Sequence, residues 1–269
     1  VSGNEIAHNK ANWVGAGIFI HDCYPTGTGN WIHHNAGNEG SGITAIVSEP
    51  TLSGNTIEHN SANWRGGGLL YAESGGTLAA NIIRDNKARW HSSAMRIEKS
   101  SPTLINNAII DNELTDGGES AMLVISSTVT LLHNTIAGNH GGDGVGLYVE
   151  SSGTVMTLTN TLVATQTTGL HVASGSTAVV DGVLWFANGE DTGGGGTITV
   201  THEHNGDPAF TSDGYHLGET SAAIDRGVTA SITVDIDGDV RPSGAGFDLG
   251  ADEYEVMGST IFLPLVMRD

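Results

Sequence analysis

The sequence has one cysteine, few positively charged residues and no long apolar run. Cys23 is its one cysteine, so no disulfide forms within the chain, and we expect it to be a buried structural thiol. Lysine and arginine number 10 against 30 aspartates and glutamates, and the net charge of −20 disfavours nucleic acid and anionic membrane surfaces as partners. No apolar run reaches the roughly 18 residues of a membrane span, so no transmembrane segment is predicted.

Apolar residues at helical spacing are also missing, whereas 39 glycines and many β-branched residues suit turns and strands. The pattern Asn-x-Ile-x-x-Asn begins at Asn4 and returns at Asn30, Asn55, Asn81, Asn107 and Asn134, at spacings of 26, 25, 26, 26 and 27 residues. We assign a degenerate seventh copy to Asn160. A period of this size predicts a repeat protein, here an all-β solenoid of about eight coils over residues 1–206.

Two sets of columns set the register of the repeat. The Ile of each copy, from Ile6 to Ile136, and then Leu162, is expected inside the solenoid, and the stacked Asn amides are expected to bond along its axis. Segments such as Gly17-Ile18-Phe19-Ile20 alternate, so their apolar pair should point inward and the residue between them outward. The predicted outward column is Phe19, Thr44, Leu70, Arg96, Leu123, Tyr148 and His171.

Residues 207–255 form a different unit with five ordered motifs. These are Asp207-Pro208-Ala209-Phe210, Tyr215-His216-Leu217, Ala223-Ile224-Asp225-Arg226-Gly227, Asp235-Ile236-Asp237-Gly238-Asp239-Val240-Arg241-Pro242 and Asp248-Leu249-Gly250-Ala251-Asp252-Glu253-Tyr254. The series resembles the C-terminal end of bacterial secreted right-handed parallel β-helix proteins of the choice-of-anchor Q type. The resemblance implies a right-handed parallel β-helix with a small β-rich C-terminal cap, located outside a bacterial cell or on its surface.

Residues 256–269 form an apolar tail, similar to the Leu-Pro-Leu-Val ends of some secreted Chloroflexi proteins. A solenoid has open ends, and the chain enters a coil directly at Val1. We therefore expect the tail to dock on the N-terminal coil of a second copy, which gives a homo-oligomer or fibre. The assembly residues would be Ile261, Phe262, Leu263, Leu265 and Val266. The alternatives are that the tail packs on its own solenoid or is a sorting signal.

Aromatic residues recur on one turn of the repeat. Trp13, Trp64 and Trp90 each stand four residues after the second Asn of their copy. Indole rings in one row are candidates for stacking on sugars, and the alternative is that they cover the turn.

The weak catalytic candidates are Glu98 and Glu150, two coils apart in the column next to the outward one. At the strand spacing their carboxylates would lie about 10 Å apart, near the upper limit for an inverting glycosidase pair. Ile125 lies between them, and the polygalacturonase motifs Asp-Asp and Gly-His-Gly are absent, so a solvated face is favoured over an active site.

Two patterns suit metal ions. Asp235, Asp237 and Asp239 precede and follow a glycine turn and offer hard oxygen ligands for Ca²⁺, with a turn held by carboxylate–backbone bonds as the alternative. A column of residues directly before the second Asn could instead bind a transition metal, although a solvent-facing stripe is favoured. This column consists of His8, His34, His59, Asp85 and Asp111.

The leading functional interpretation is a non-catalytic, exported structural solenoid at the bacterial surface that assembles end to end. A carbohydrate-binding or adhesion module is the first alternative. A polysaccharide lyase or glycoside hydrolase is the second.

Overall fold

The computed structural model describes residues 1–255, and every strand pair in its sheets is parallel. Within this range the chain forms no helix, and therefore none that could cross a membrane. The tail, residues 256–269, lies outside the described residues. The observed architecture is the predicted right-handed parallel β-solenoid.

Three sheets run along the axis of the solenoid. The first has one half made of β1 (Glu5–Ala7), β4 (Trp31–His33), β8 (Thr56–Glu58), β12 (Ile82–Arg84), β16 (Ala108–Ile110) and β20 (Thr135–Ala137). Its other half contains β3 (Thr26–Thr28), β7 (Thr51–Ser53), β11 (Thr77–Ala79), β15 (Thr103–Ile105) and β19 (Thr128–Leu132). The long strands β23 (Val155–Ala164), β25 (Thr177–Phe186) and β27 (Thr197–Asn205) join the two halves.

The second sheet has eight strands, which follow one another at intervals of one coil. They are β2 (Ile18–His21), β6 (Ile43–Ile46), β10 (Leu69–Ala72), β14 (Ser92–Glu98), β18 (Ser120–Ile125), β22 (Val145–Glu150), β24 (Thr168–Val172) and β26 (Glu190–Gly193). The third sheet contains β5 (Ala36–Glu39), β9 (Ser61–Arg65), β13 (Lys87–Ala88), β17 (Glu113–Leu114) and β21 (His140–Gly141). Eight rungs in the second sheet correspond to about seven full turns.

The predicted Asn ladders are present and buried. In the first column each amide Nδ2 donates to the Oδ1 of the next copy; the Asn55–Asn81 bond is 2.9 Å and the Asn81–Asn107 bond 3.0 Å. The same Oδ1 also accepts the backbone N–H of the preceding copy. The residue before each ladder Asn has a left-handed backbone, for example φ +60° at Gly54 and +52° at His59. These corners bend the chain so that the Ile between the two Asn points into the core.

A third ladder was not predicted. Ser48, Ser74, Ser100 and Ser127 form a column in which each hydroxyl accepts the backbone N–H of the preceding copy, at 2.9–3.3 Å. Cys23 stands at the head of this column, and its N–H donates to the Ser48 hydroxyl. Cys23 is exposed, so the expectation of a buried thiol is wrong.

The seventh repeat is displaced by one residue from the prediction. Thr135 pairs with Leu162 and Ile136 with Val163, so Val163 continues the Ile column inside the core. Leu162 points to the outer side, and Asn160 occupies the corner position, with φ +51°, rather than a ladder position. The sequence aligned Asn160 because it is the one Asn in the segment, whereas the pairing is set by which residues fill the core.

The column predicted to face outward is largely covered. Leu70 and Arg96 are 4% and 7% exposed, and Thr44 and Leu123 are fully buried, whereas Phe19 is exposed. The connection between the third and second sheets folds over this face, since the Thr44 hydroxyl donates to the Gly40 carbonyl oxygen at 3.1 Å. This surface is therefore not open to a ligand in the middle coils.

The C-terminal unit, residues 207–255, lies along the side of the solenoid rather than over its end. Its apolar residues pack on outward-facing residues of the first sheet, which form a second core with it. The solenoid contributes Ala108, Ile110, Ala137, Leu162, Ala164 and Leu184, and the unit contributes Tyr215, Leu217, Ala223 and Leu249. Asn160 also binds the backbone of Val228 through both its amide oxygen and nitrogen, each at 2.7 Å.

The unit is less regular than the predicted β-rich cap. Within residues 207–255 the β-pairing consists of two antiparallel bridges, Gly227 with Phe247 and Val234 with Val240. A buried ion pair replaces regular pairing at its centre: Arg241 Nη1 donates to Glu253 Oε2 at 2.8 Å, and both side chains are 0% exposed.

Replacing Asn81 with alanine is expected to destabilise the solenoid by about 3–5 kcal/mol, because the buried Asn55 backbone N–H loses its acceptor and the side-chain bonds of Asn81 to Asn55, Leu52 and Asn107 are lost. Denaturant titration followed by circular dichroism measures the change. Asn63→Ala is the matched control, since its bond to Asn38 is exposed and should contribute less than about 0.5 kcal/mol. Equal effects of the two substitutions would contradict the ladder's role.

Candidate functional site

The three predicted tryptophans lie on one edge of the solenoid and are exposed. Trp13 is 81%, Trp64 54% and Trp90 43% accessible. They stand at the end of the third sheet, where the backbone N–H of Trp90 donates to the backbone carbonyl oxygen of Trp64 at 2.8 Å. We call this row of three residues the Trp ridge. Sugar stacking and turn covering both stay open for these rings.

Trp13 and Trp64 line one cleft of about 390 Å³. Asn38 and Glu39, from the coil between them, also line it. Glu39 lies 3.0 Å from the Arg65 guanidinium, which itself lies over the Trp64 ring at 5.7 Å from its centroid. The ion pair neutralises the carboxylate in the cleft and places a cation on the Trp64 ring.

Trp90 does not line this cleft. One face of its ring lies against Gly117, where an added Cβ would approach the indole to 3.1 Å. The structure thus brings together two of the three predicted aromatic residues and leaves the third beside them on the ridge.

Glu98 and Glu150 lie two coils apart, with Ile125 between them in the strand register. Glu98 Oε2 accepts hydrogen bonds from Arg96 Nη2 and Nε, at 3.0 and 3.2 Å. Its carboxylate is therefore already paired by a neighbour in the same strand.

A different carboxylate, Glu119, lines a cleft of about 240 Å³ with Asp143, Tyr148 and His171. Burial and the charge of nearby Glu150 raise the pKa of Glu119, while His91 opposes the shift. Glu119 was missed by sequence reasoning because it stands in a loop outside the repeated columns. Only the fold brings it into one cleft with Asp143 and His171.

The three aspartates of the predicted Ca²⁺ site do not share one ligand pocket. Asp235 is buried, and its Oδ1 accepts the N–H groups of Asp237, Gly238 and Asp239 at 2.8–2.9 Å. Its Oδ2 accepts the N–H of Glu253 at 3.0 Å. This arrangement matches the alternative of a turn held by carboxylate–backbone bonds, and calcium binding stays a prediction.

Asp237 points away from Asp235 and binds His216. The two imidazole nitrogens of His216 lie 2.5 Å from Asp213 and 2.6 Å from Asp237. Burial by itself lowers the pKa of His216, but these two carboxylates outweigh it and raise the pKa to about 9. His216 is thus a charged link between two loops of the C-terminal unit.

The predicted assembly residues, from Ile261 to Val266, lie outside the described residues, so end-to-end association also stays a prediction. The His and Asp column before the second Asn is placed on the surface, as expected: His8, His34 and His59 are exposed.

Family comparison agrees with this architecture. Residues 1–163 match the model described as "Right handed beta helix region". The chain belongs to the right-handed β-helix family. Among solved structures, this β-helix is similar to that titled "Crystal structure of pectate lyase Pel9A", with 11% identity, a TM-score of 0.44, and coverage of 93% of this chain and 86% of that chain. A similarity of this size carries no information on activity. No curated protein has a significantly matching sequence.

The charged state of His216 makes the stability of the C-terminal unit of this β-helix depend on pH. Its folded pKa of about 9 exceeds the ordinary value of 6.5, so its contribution is complete below pH 6.5 and is lost as the pH rises through 9. We expect the melting temperature to fall by a few degrees between pH 7 and 9.5. His216→Gln should be less stable at pH 7 and lack this part of the pH dependence. Parallel curves for the two proteins would refute the assignment.

Proposed function

We propose that this protein is a non-catalytic, exported bacterial β-solenoid that binds a neutral polysaccharide along the Trp ridge. The cleft between Trp13 and Trp64 is the observation that supports this proposal most directly, because two exposed indoles face one space large enough for sugar rings. The CH faces of pyranose rings are apolar, and their hydroxyl groups suit polar partners such as Asn38 and Glu39.

The indole surface available for contact limits the affinity of a single site. Covering about 100 Å² of one indole contributes about 2.5 kcal/mol. Two such contacts amount to about 5 kcal/mol, and immobilising the sugar costs at least about 4 kcal/mol, so a single site binds more weakly than millimolar. A polymer that contacts many copies of the protein on a surface raises the affinity by avidity.

The charge distribution favours a neutral polymer over an acidic one. The net charge of −20 repels polyanions, and the ion pair of Glu39 with Arg65 leaves the cleft without an unpaired cation. Retention of a neutral polysaccharide matrix at a cell surface is consistent with a rigid rod that presents one long ridge.

Trp13→Ala and Trp64→Ala should each weaken polysaccharide binding at least about fivefold, since each removes one of the two stacking surfaces. Affinity electrophoresis through gels containing single neutral polysaccharides measures the effect. Trp31→Ala is the matched control, because Trp31 is also exposed, at 45%, but lies on the first sheet.

Two outcomes would contradict the proposal. One is unchanged migration of the native protein in every neutral polysaccharide. The other is an equal loss of retardation in the Trp31 control, which would point to a general change in surface rather than to the cleft.

A polysaccharide-cleaving activity is the second candidate, favoured by the position of Glu119. A carboxyl group whose pKa is raised by burial and by the charge of Glu150 suits general acid catalysis. If this is correct, Glu119→Gln and Glu150→Gln abolish cleavage of acidic or neutral polysaccharides in a reducing-end assay, whereas Glu98→Gln, whose carboxylate is paired with Arg96, retains it. The absence of any cleavage by the native protein would exclude this candidate.

A further inference from the structure

Imidazole side chains of the first two coils converge at one corner of the first sheet. One ring nitrogen from each of His8, His33 and His34 lies within 4.8 Å of the other two. His33 Nδ1 and His34 Nδ1 face each other at 2.8 Å. His33 belongs to no repeated column in the sequence, so the cluster is a product of the fold.

His33 is held by its neighbours. Its side chain is 6% exposed, and the Trp31 ring stacks on it at 3.8 Å between centroids. Its Nε2 lies 3.1 Å from Glu5 Oε1 of the preceding coil. A carboxylate only accepts, so Nε2 carries the proton and Nδ1 directs its lone pair at His34. This is the arrangement in which a carboxylate orients a metal-binding imidazole.

His8 and His34 come from equivalent left-handed corners one coil apart, with φ of +58° and +52°. Their rings are stacked with centroids 5.2 Å apart. The Asn ladder next to these corners fixes this spacing, since Asn9 Nδ2 donates to Asn35 Oδ1 at 2.9 Å. The cluster is therefore held by backbone geometry as well as by side-chain contacts.

We propose that His8, His33 and His34 bind one divalent transition-metal ion such as Zn²⁺, with Glu5 as the positioning residue for His33. Three imidazoles favour this class of ion, whereas Ca²⁺ and Mg²⁺ require oxygen ligands. Three protein ligands leave a coordination position for solvent or a further ligand. The site lies on a different face from the Trp ridge and is independent of sugar binding.

Isothermal titration of the tag-free, EDTA-treated protein with ZnCl₂ tests the proposal. One saturable site per chain is expected, and His8→Asn and His34→Asn should each weaken it at least about tenfold. Asparagine is the chosen replacement because it tolerates the left-handed backbone of both positions, so the fold is preserved. His140→Asn, at another exposed imidazole, should bind as the native protein does.

Glu5→Ala, which removes the acceptor for His33 Nε2, tests the positioning role by a second readout. We expect about a tenfold loss of zinc affinity together with a change in the His33 tautomer in the ¹⁵N NMR spectrum. Unchanged affinity and tautomer would remove Glu5 from the proposal. The absence of a saturable site, or equal zinc affinity in the His8→Asn/His34→Asn double variant and the native protein, would overturn the metal site itself.

Discussion

Stacked asparagine amides are the interaction on which the rest of this solenoid depends. A buried amide is costly unless both its oxygen and its nitrogen find partners. Asn81 satisfies this by accepting two N–H groups of Asn55 and by donating to Leu52 and Asn107. Because the partners are identical residues of adjacent coils, the bonds enforce a constant spacing. The left-handed corners and the inward direction of each Ile follow from it.

Constant spacing aligns the equivalent residues of successive coils into rows, and the outward-facing positions form rows on the surface. Trp13 and Trp64 enclose a cleft because the ridge has a fixed step, and His8 stacks on His34 for the same reason. What distinguishes one row from another is the set of residues beside it. The Arg65 guanidinium lies over the Trp64 ring, and Glu5 lies within bonding distance of the imidazole next to His34, so the two rows differ in what their side chains contact.

The C-terminal unit shows why an acidic motif need not be a metal site. The carboxylates of Asp225, Asp235 and Asp248 accept backbone N–H groups of the loops around them. Burial raises the pKa of Asp248 to about 7 although the amides of Asp225 and Tyr254 donate to it. The unit lies on the flank because outward apolar residues such as Leu184 there need cover.

The sequence by itself determined the solenoid, its register through six repeats, the Asn ladders and the alignment of the three Trp on one turn, because each of these depends on a local pattern repeated at one period. Only the tertiary structure decided which residues meet across coils or across the two parts of the chain. His33 lies in the imidazole cluster, Glu119 shares a cleft with His171, and Asn160 binds Val228, and none of these contacts is periodic. The outward column was mispredicted for the same reason: the connection that covers Leu70 has no signature within a single repeat.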